Sequence, residues 1–226
     1  MEVRPLLLGH RGVGRNKSIP ENTFEAFDLA LASGCEGFEF DVRLSADGEA
    51  VICHDAITPT QRLEIAHCAA EELGLPLLQE VLSRYGGKTF LDIELKVSGL
   101  EKITANLLQE CGADTNRFVV SSFLPEALES LRCVDTKIPL GLICETQTQL
   151  GRWQRLPVQY VIPHYKLARK ELISEIKSAG KKIIVWTVNT PAAMKRFAKF
   201  GVDGIVSDNP QHLFRVLREP PISKTN

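Results

Sequence analysis

Phe38-Glu39-Phe40-Asp41-Val42-Arg43 and Leu91-Asp92-Ile93-Glu94-Leu95-Lys96 are two short runs in which apolar and charged side chains alternate strictly. A period of two belongs to a β-strand, whose successive side chains point to opposite faces. Glu39, Asp41 and Arg43 therefore share one face of the first run, and Asp92, Glu94 and Lys96 share one face of the second. What those charged faces look at depends on the architecture, and the flanking sequence supplies it.

Outward from these runs, β-branched or apolar stretches alternate with segments of helical period. Strands are expected at 5–9, 37–44, 89–96, 118–122, 139–144, 160–163, 182–188 and 204–207. Helices are expected at 23–33, 77–85, 100–111, 125–134, 168–179, 191–200 and 211–217, with a weaker one near 147–152. Asn22 reads as the cap of the first helix, Pro125 and Pro191 suit first turns, and Gly34, Gly112, Gly180 and Gly201 follow helix ends. Strand–helix alternation predicts an α/β protein with a parallel sheet and helices outside, and eight repeats predict closure into a (β/α)8 TIM barrel. No linker or composition break divides the chain, so residues 1–226 are expected to form a single domain. The competing architecture is an open doubly wound sheet. Its glycine-rich dinucleotide fingerprint is missing, because Gly9-His10-Arg11-Gly12-Val13-Gly14 has the wrong glycine spacing.

In a barrel both faces of each strand are covered, so the apolar faces of the two runs pack on helices and the charged faces point inward. Burying several carboxylates together is unfavourable, because like charges repel and each loses hydration. Three resolutions fit. The carboxyls are protonated, or they pair with cations in a polar plug of Glu–Arg and Asp–Lys pairs, or Glu39, Asp41 and Glu94 hold a divalent cation, which accounts best for the spacing. Oxygen donors suit Mg²⁺ or Ca²⁺, and the lack of a His/Cys cluster argues against structural zinc.

Two histidines fall at the expected strand-end rim, where barrels keep their chemistry. His10, with Arg11, ends the first strand; His54, followed by Asp55, ends a 50–53 extension after an Asp47-Gly48 turn. Imidazoles transfer protons near neutral pH with little tuning, so the pair fits an acid and a base. His67, His164 and His212 read as structural. Glu21, in Pro20-Glu21-Asn22, reads as an acidic residue beginning the first helix, complementing its dipole.

Composition narrows the partners. The 226 residues are 44% hydrophobic and 24% charged with a net charge of −1, so neither nucleic acid nor an anionic membrane is favoured. A phosphate site must then draw on local cations, and Arg11 and Lys96 supply them. The apolar part of the N-terminal ten residues is too short for an export signal, and no later stretch has the length of a membrane span. Six scattered cysteines without a CxxC pair read as reduced core thiols, and the cytoplasm is the expected location.

Several motifs occur in a familiar order: His10-Arg11-Gly12, Pro20-Glu21-Asn22-Thr23, Glu39-Phe40-Asp41-Val42, His54-Asp55 and Ile93-Glu94-Leu95-Lys96. Ser121-Ser122-Phe123, Trp186-Thr187-Val188-Asn189 and the run from Gly201 to Pro210 follow. Together they span nearly the whole chain, which resembles the glycerophosphodiester phosphodiesterases. The resemblance implies a TIM barrel and metal-dependent hydrolysis of a small-molecule glycerophosphodiester to glycerol 3-phosphate and an alcohol. It implies metal ligation by Glu39, Asp41 and Glu94 with Glu21 close by, and catalysis by His10 and His54. It further implies phosphate contacts from Arg11 and Lys96 and a pocket wall at Trp186. The chain departs from the family pattern at Ile57-Thr58-Pro59-Thr60-Gln61-Arg62 and in a short run to Leu75, where an Asp-Arg-Thr-like signature and a longer loop are usual. Choice of alcohol is the property most exposed to that change. A lysophospholipase D and, in another class, a non-catalytic phosphate-ligand binding barrel are the alternatives.

Overall fold

The computed structural model describes residues 4–14, 16 and 18–219. Met1, Glu2 and Val3 of the N-terminal stretch discussed above, and both ends of the expected 1–226 domain, lie outside the described residues. The chain runs β1 (Leu6–His10), α1 (Phe24–Ala32), β2 (Gly37–Leu44), β3 (Ala50–Ile52), a 3-10 turn (Ile65–His67), α2 (Ala70–Leu73), α3 (Leu78–Tyr85), β4 (Phe90–Leu95) and α4 (Glu101–Glu110). It continues β5 (Phe118–Ser122), α5 (Pro125–Val134), β6 (Leu140–Cys144), α6 (Gln147–Leu150), β7 (Tyr160–Pro163), α7 (Lys170–Ser178), β8 (Lys182–Val185), α8 (Pro191–Phe200), β9 (Gly204–Ser207) and α9 (Pro210–Arg218).

Every strand except β3 pairs in parallel, and β1 pairs with both β9 and β2. The sheet thus closes as a ring of eight strands, β1-β2-β4-β5-β6-β7-β8-β9, wrapped by helices: a TIM barrel. β3 lies antiparallel on β2 outside the ring.

Alternation sorts the side chains into two layers. Phe38, Phe40, Val42, Leu91, Ile93 and Leu95 join the large apolar layer between strands and helices. There Phe27 of α1 stacks on Phe38 with centroids 4.2 Å apart. A smaller cluster of Leu8, Phe90, Val119, Ile143, Tyr160, Ile162, Ile184 and Val206 fills the interior of the ring. Glu39, Asp41, Asp92 and Glu94, on the opposite face from the outer layer, are buried among the barrel-facing side chains.

Three local expectations are corrected. The cap of α1 is Thr23, whose hydroxyl accepts from the Ala26 amide at 3.2 Å, and not Asn22. Asn22 instead sits in the left-handed region at φ 59° with its side chain turned to Asp41. Glu21 lies in the turn before that cap and not in the helix. Residues 63–75, which carry no regular pattern, fold into the 3-10 turn and the four-residue α2. The six cysteines are free thiols, as expected, but only Cys35, Cys53 and Cys144 are core residues; Cys111 and Cys133 are exposed.

Candidate active site

Strand register builds the site. His10 lies across from Glu39 on the neighbouring strand, and Asp41 lies across from Glu94 on the next. Three adjacent strands therefore present one imidazole and three carboxylates at the C-terminal end of the barrel. Glu39, Asp41 and Glu94 each offer an oxygen within 4.8 Å of the others. His54 follows β3, and Lys96, Phe123, Glu145 and Trp186 follow the C-terminal ends of β4, β5, β6 and β8. With His10, Arg11, Glu39 and Glu94 they line a cavity of about 230 Å³. One side of it is ionic; the other, formed by Phe123, Ile143, Ile162, Trp186 and Val206, is apolar.

The cations are interleaved with the acids. Lys96 Nζ lies 2.7 Å from Glu94 Oε1 and 3.2 Å from Asp41 Oδ1. Arg11 Nε lies 3.2 Å from Asp41 Oδ2, and its Nη1 donates to Glu21 Oε1 at 2.6 Å. The Arg11 amide donates to Glu39 Oε2 at 3.0 Å, which places Arg11 at φ 50°, a conformation rare for a side-chain-bearing residue. Glu21, 41% exposed, stands outside the group of three carboxylates and reaches the site through Arg11.

This pairing does not exhaust the acids. Glu39 Oε1 is buried without a hydrogen-bond partner among the described residues, and Asp41 Oδ1 is buried with only the Lys96 ion pair. Buried unsatisfied oxygens are rare because each forfeits its hydration. Burial raises the Glu39 carboxyl well above the usual range, and Asp41 and Glu94 push it the same way. Burial and Asp41 likewise raise Glu94 to about 7, against the pull of Lys96. Burial opposes ionisation of Asp41 too, yet Lys96, Arg11 and the Asn22 hydrogen bond outweigh it and hold Asp41 low. Deeper in the barrel, burial raises Asp92 to about 7 although Ser121 donates to it at 2.6 Å. Three clustered oxygen donors, two with unmet capacity, fit a hard divalent cation.

Each histidine turns Nδ1 towards an aspartate: His10 to Asp208 Oδ1 at 2.6 Å, His54 to Asp55 Oδ1 at 2.7 Å. With the proton on Nδ1 shared with the carboxylate, both Nε2 atoms are left for chemistry. Burial lowers the His54 pKa, with Lys96 and Arg11 adding to the fall against Asp41. Trp186 donates from Nε1 to the Ile162 carbonyl at 2.9 Å and meets Phe123 edge-on at 5.7 Å, which fixes it as a wall. His67, His164 and His212 do not line the cavity; His164 packs at 5.3 Å against Trp186, and His67 pairs with Glu64 on the surface.

The sequence reading did not assign Asn22, Asn189 or Asp208 to the site. Asn189 and Asp208 stand in motifs quoted above, but only closure of the ring reveals what they touch.

Comparison with known proteins places this geometry. A model of the glycerophosphoryl diester phosphodiesterase family matches residues 10–73 and 66–212. The glycerophosphodiester phosphodiesterase of Caldanaerobacter subterraneus subsp. tengcongensis is 29% identical over 96% of this chain and 99% of its own. That of Bacillus altitudinis is 29% identical over 94% and 98%. Among solved structures, an Oleispira antarctica phosphodiesterase in complex with the product sn-glycerol-3-phosphate superposes with a TM-score of 0.81 at 27% identity, covering 94% of this chain and 96% of that one. A glycerophosphodiester phosphodiesterase from Agrobacterium tumefaciens gives 0.81 at 25% identity, covering 96% and 100%. The barrel and its acidic rim are those of a phosphoric diester hydrolase. The chain belongs to the glycerophosphoryl diester phosphodiesterase family.

No helix among the described residues is long and apolar enough to cross a membrane.

Proposed function

We propose that the chain hydrolyses glycerophosphodiesters to glycerol 3-phosphate and an alcohol, in a metal-dependent reaction with His10 as base and His54 as acid. The observation that carries this reading is the convergence of His10, Glu39, Asp41 and Glu94 on three adjacent strands beside His54. Family membership and a relative's complex with sn-glycerol-3-phosphate support the substrate class.

Glu39, Asp41 and Glu94 would hold the cation, Mg²⁺ or Ca²⁺, with Glu21 nearby through Arg11. When bound, it supplies Lewis-acid stabilisation of charge growing on the phosphoryl oxygens. Arg11 and Lys96 add positive charge at the same rim. The polar side of the cavity takes the phosphate, and Trp186 with Phe123 covers the carbon skeleton of the glycerol. His10 Nε2 removes the proton of the attacking hydroxyl and His54 protonates the departing alkoxide. Attack by water gives glycerol 3-phosphate directly, whereas attack by the neighbouring glycerol hydroxyl gives a cyclic phosphodiester that water then opens, with His54 as base and His10 as acid. The free thiols agree with action in the cytoplasm.

A metal-by-substrate screen tests the proposal. Chelated enzyme is expected to be inactive on glycerophosphocholine and glycerophosphoethanolamine, and to recover with Mg²⁺ or Ca²⁺. Full turnover after chelation would remove the cation from the reaction. Faster turnover of a lysophospholipid would move the assignment to a lysophospholipase D, and tight binding without turnover to a non-catalytic barrel.

A further inference from the structure

We infer that Asp208, clamped by Asn189, is a positioning residue that fixes the tautomer and orientation of His10. The inference rests on the reading of His10 as the base.

Each histidine has an aspartate at Nδ1, but their supports differ. Asp55 is 76% exposed, so its pairing with His54 stands in solvent. Asp208 is 8% exposed and His10 17%. Both Asp208 carboxylate oxygens are engaged: Oδ1 with His10, and Oδ2 accepting from Asn189 Nδ2 at 2.6 Å. Asn189 is itself fixed, because its Oδ1 accepts from the Asp208 amide at 3.0 Å and from the buried Ser207 hydroxyl at 3.0 Å. These contacts tie the orientation of the carboxylate to the segments that follow β8 and β9.

Room for the pair is reserved on the opposite side. A methyl group at Gly14 would lie 2.6 Å from Asp208 Oδ1 and 3.2 Å from His10 Nδ1. Glycine is needed there for space alone, since its φ is not in the left-handed region.

An imidazole held this way keeps its proton on Nδ1 and its lone pair on Nε2. When Nε2 takes a proton from the attacking hydroxyl, Nδ1 keeps its own and the new imidazolium faces an immobile anion. Asp208 accepts no proton; it stabilises the charged ring and fixes its plane, the part played by the buried aspartate of serine-protease triads. Loss of that support slows turnover without weakening substrate binding.

The experiment compares kcat, KM and melting temperature for Asp208→Asn, Gly14→Ala, His10→Ala and the double variant His10→Ala/Asp208→Asn, on the glycerophosphodiester turned over fastest in the screen. Asp208→Asn is expected to lower kcat about 10²-fold with KM within about threefold, in line with losses from removing a ring's orienting partner. Gly14→Ala should lower kcat in the same sense, and the double variant should be no slower than His10→Ala. Wild-type kcat in Asp208→Asn beside an inactive His10→Ala overturns the positioning role and leaves the base assignment standing. An additive loss in the double variant also overturns it, since Asp208 would then act without His10. Near-wild-type turnover in His10→Ala instead overturns the base assignment. If Asp208→Asn does not fold, Gly14→Ala decides: unchanged kcat there overturns the inference.

Discussion

Asn22 grips Asp41 from both sides: its Nδ2 donates to Asp41 Oδ2 at 2.9 Å, and its Oδ1 accepts from the Asp41 amide at 3.3 Å. To reach that position the residue adopts φ 59°, a conformation asparagine tolerates better than most. Asn22→Ala would leave the buried Asp41 oxygen and amide short of partners. A loss of about 1–3 kcal/mol in urea-unfolding stability is expected, with cation affinity lowered about 10–100-fold. Unchanged affinity would show that the asparagine serves the turn alone.

Cation binding should release protons. Burial and neighbouring charge raise Glu94 to about 7, so near pH 6.5 its carboxyl holds a proton that a bound cation would displace, and Glu39 is shifted in the same sense. Titration calorimetry with Mg²⁺ or Ca²⁺ in two buffers of different ionisation enthalpy should give different heats. Affinity should weaken as pH falls below 7. The metal-free protein behaves oppositely. A carboxyl raised in the folded state stabilises it below the unfolded value and loses that stabilisation as pH rises through the folded value. Metal-free melting temperature should therefore climb between pH 8 and pH 6. Equal heats in both buffers would contradict the arrangement.

The histidines should be separable by consequence. His10→Ala and His54→Ala are each expected to reduce kcat by about 10²–10⁴-fold, the usual range for positioned proton transfer. Because His54 is the proposed acid, a substrate with a good leaving group, such as a nitrophenyl phosphodiester, should lose less in His54→Ala than in His10→Ala. An equal loss with both substrates would argue against that division of labour.

Two buried thiols should lower stability at alkaline pH. Burial raises Cys35 and Cys144 to about 12, from an ordinary value of 9.0. Between those values the unfolded chain gives up protons that the folded chain keeps, so stability is intact below 9 and falls as pH rises towards 12. The slope is up to about 1.4 kcal/mol per pH unit for each thiol. Urea midpoints measured from pH 8.5 to 10.5 should fall, and Cys144→Val should flatten the decline. Cys111 and Cys133, being exposed, should react with a thiol reagent in the native protein while Cys35 and Cys144 do not.

Much of the ring was legible because its signal is local. The alternation at 38–43 and 91–96 put the carboxylates on one face and the expected barrel turned that face inward, and four strands, at 37–44, 118–122, 160–163 and 204–207, begin and end where the pattern does. Prolines at the first turns of α5 and α8 marked those helices correctly. Asn22 was misread because a small polar residue before a helix has two uses, a cap or a long-range bond, and Thr23 beside it could serve as the cap. The 63–75 stretch has elements too short to show a period. The Asp208–His10 contact spans 198 positions, and nothing near either residue announces the other.

That span follows from β1 being flanked by the last strand of the ring as well as the second. A chain emerging from the ribosome has all three clustered carboxylates by residue 94, yet His10 waits for residue 208 before gaining its carboxylate partner. The His10–Asp208 pairing is thereby tied to the shutting of the ring, because it forms only when the last strand docks on the first.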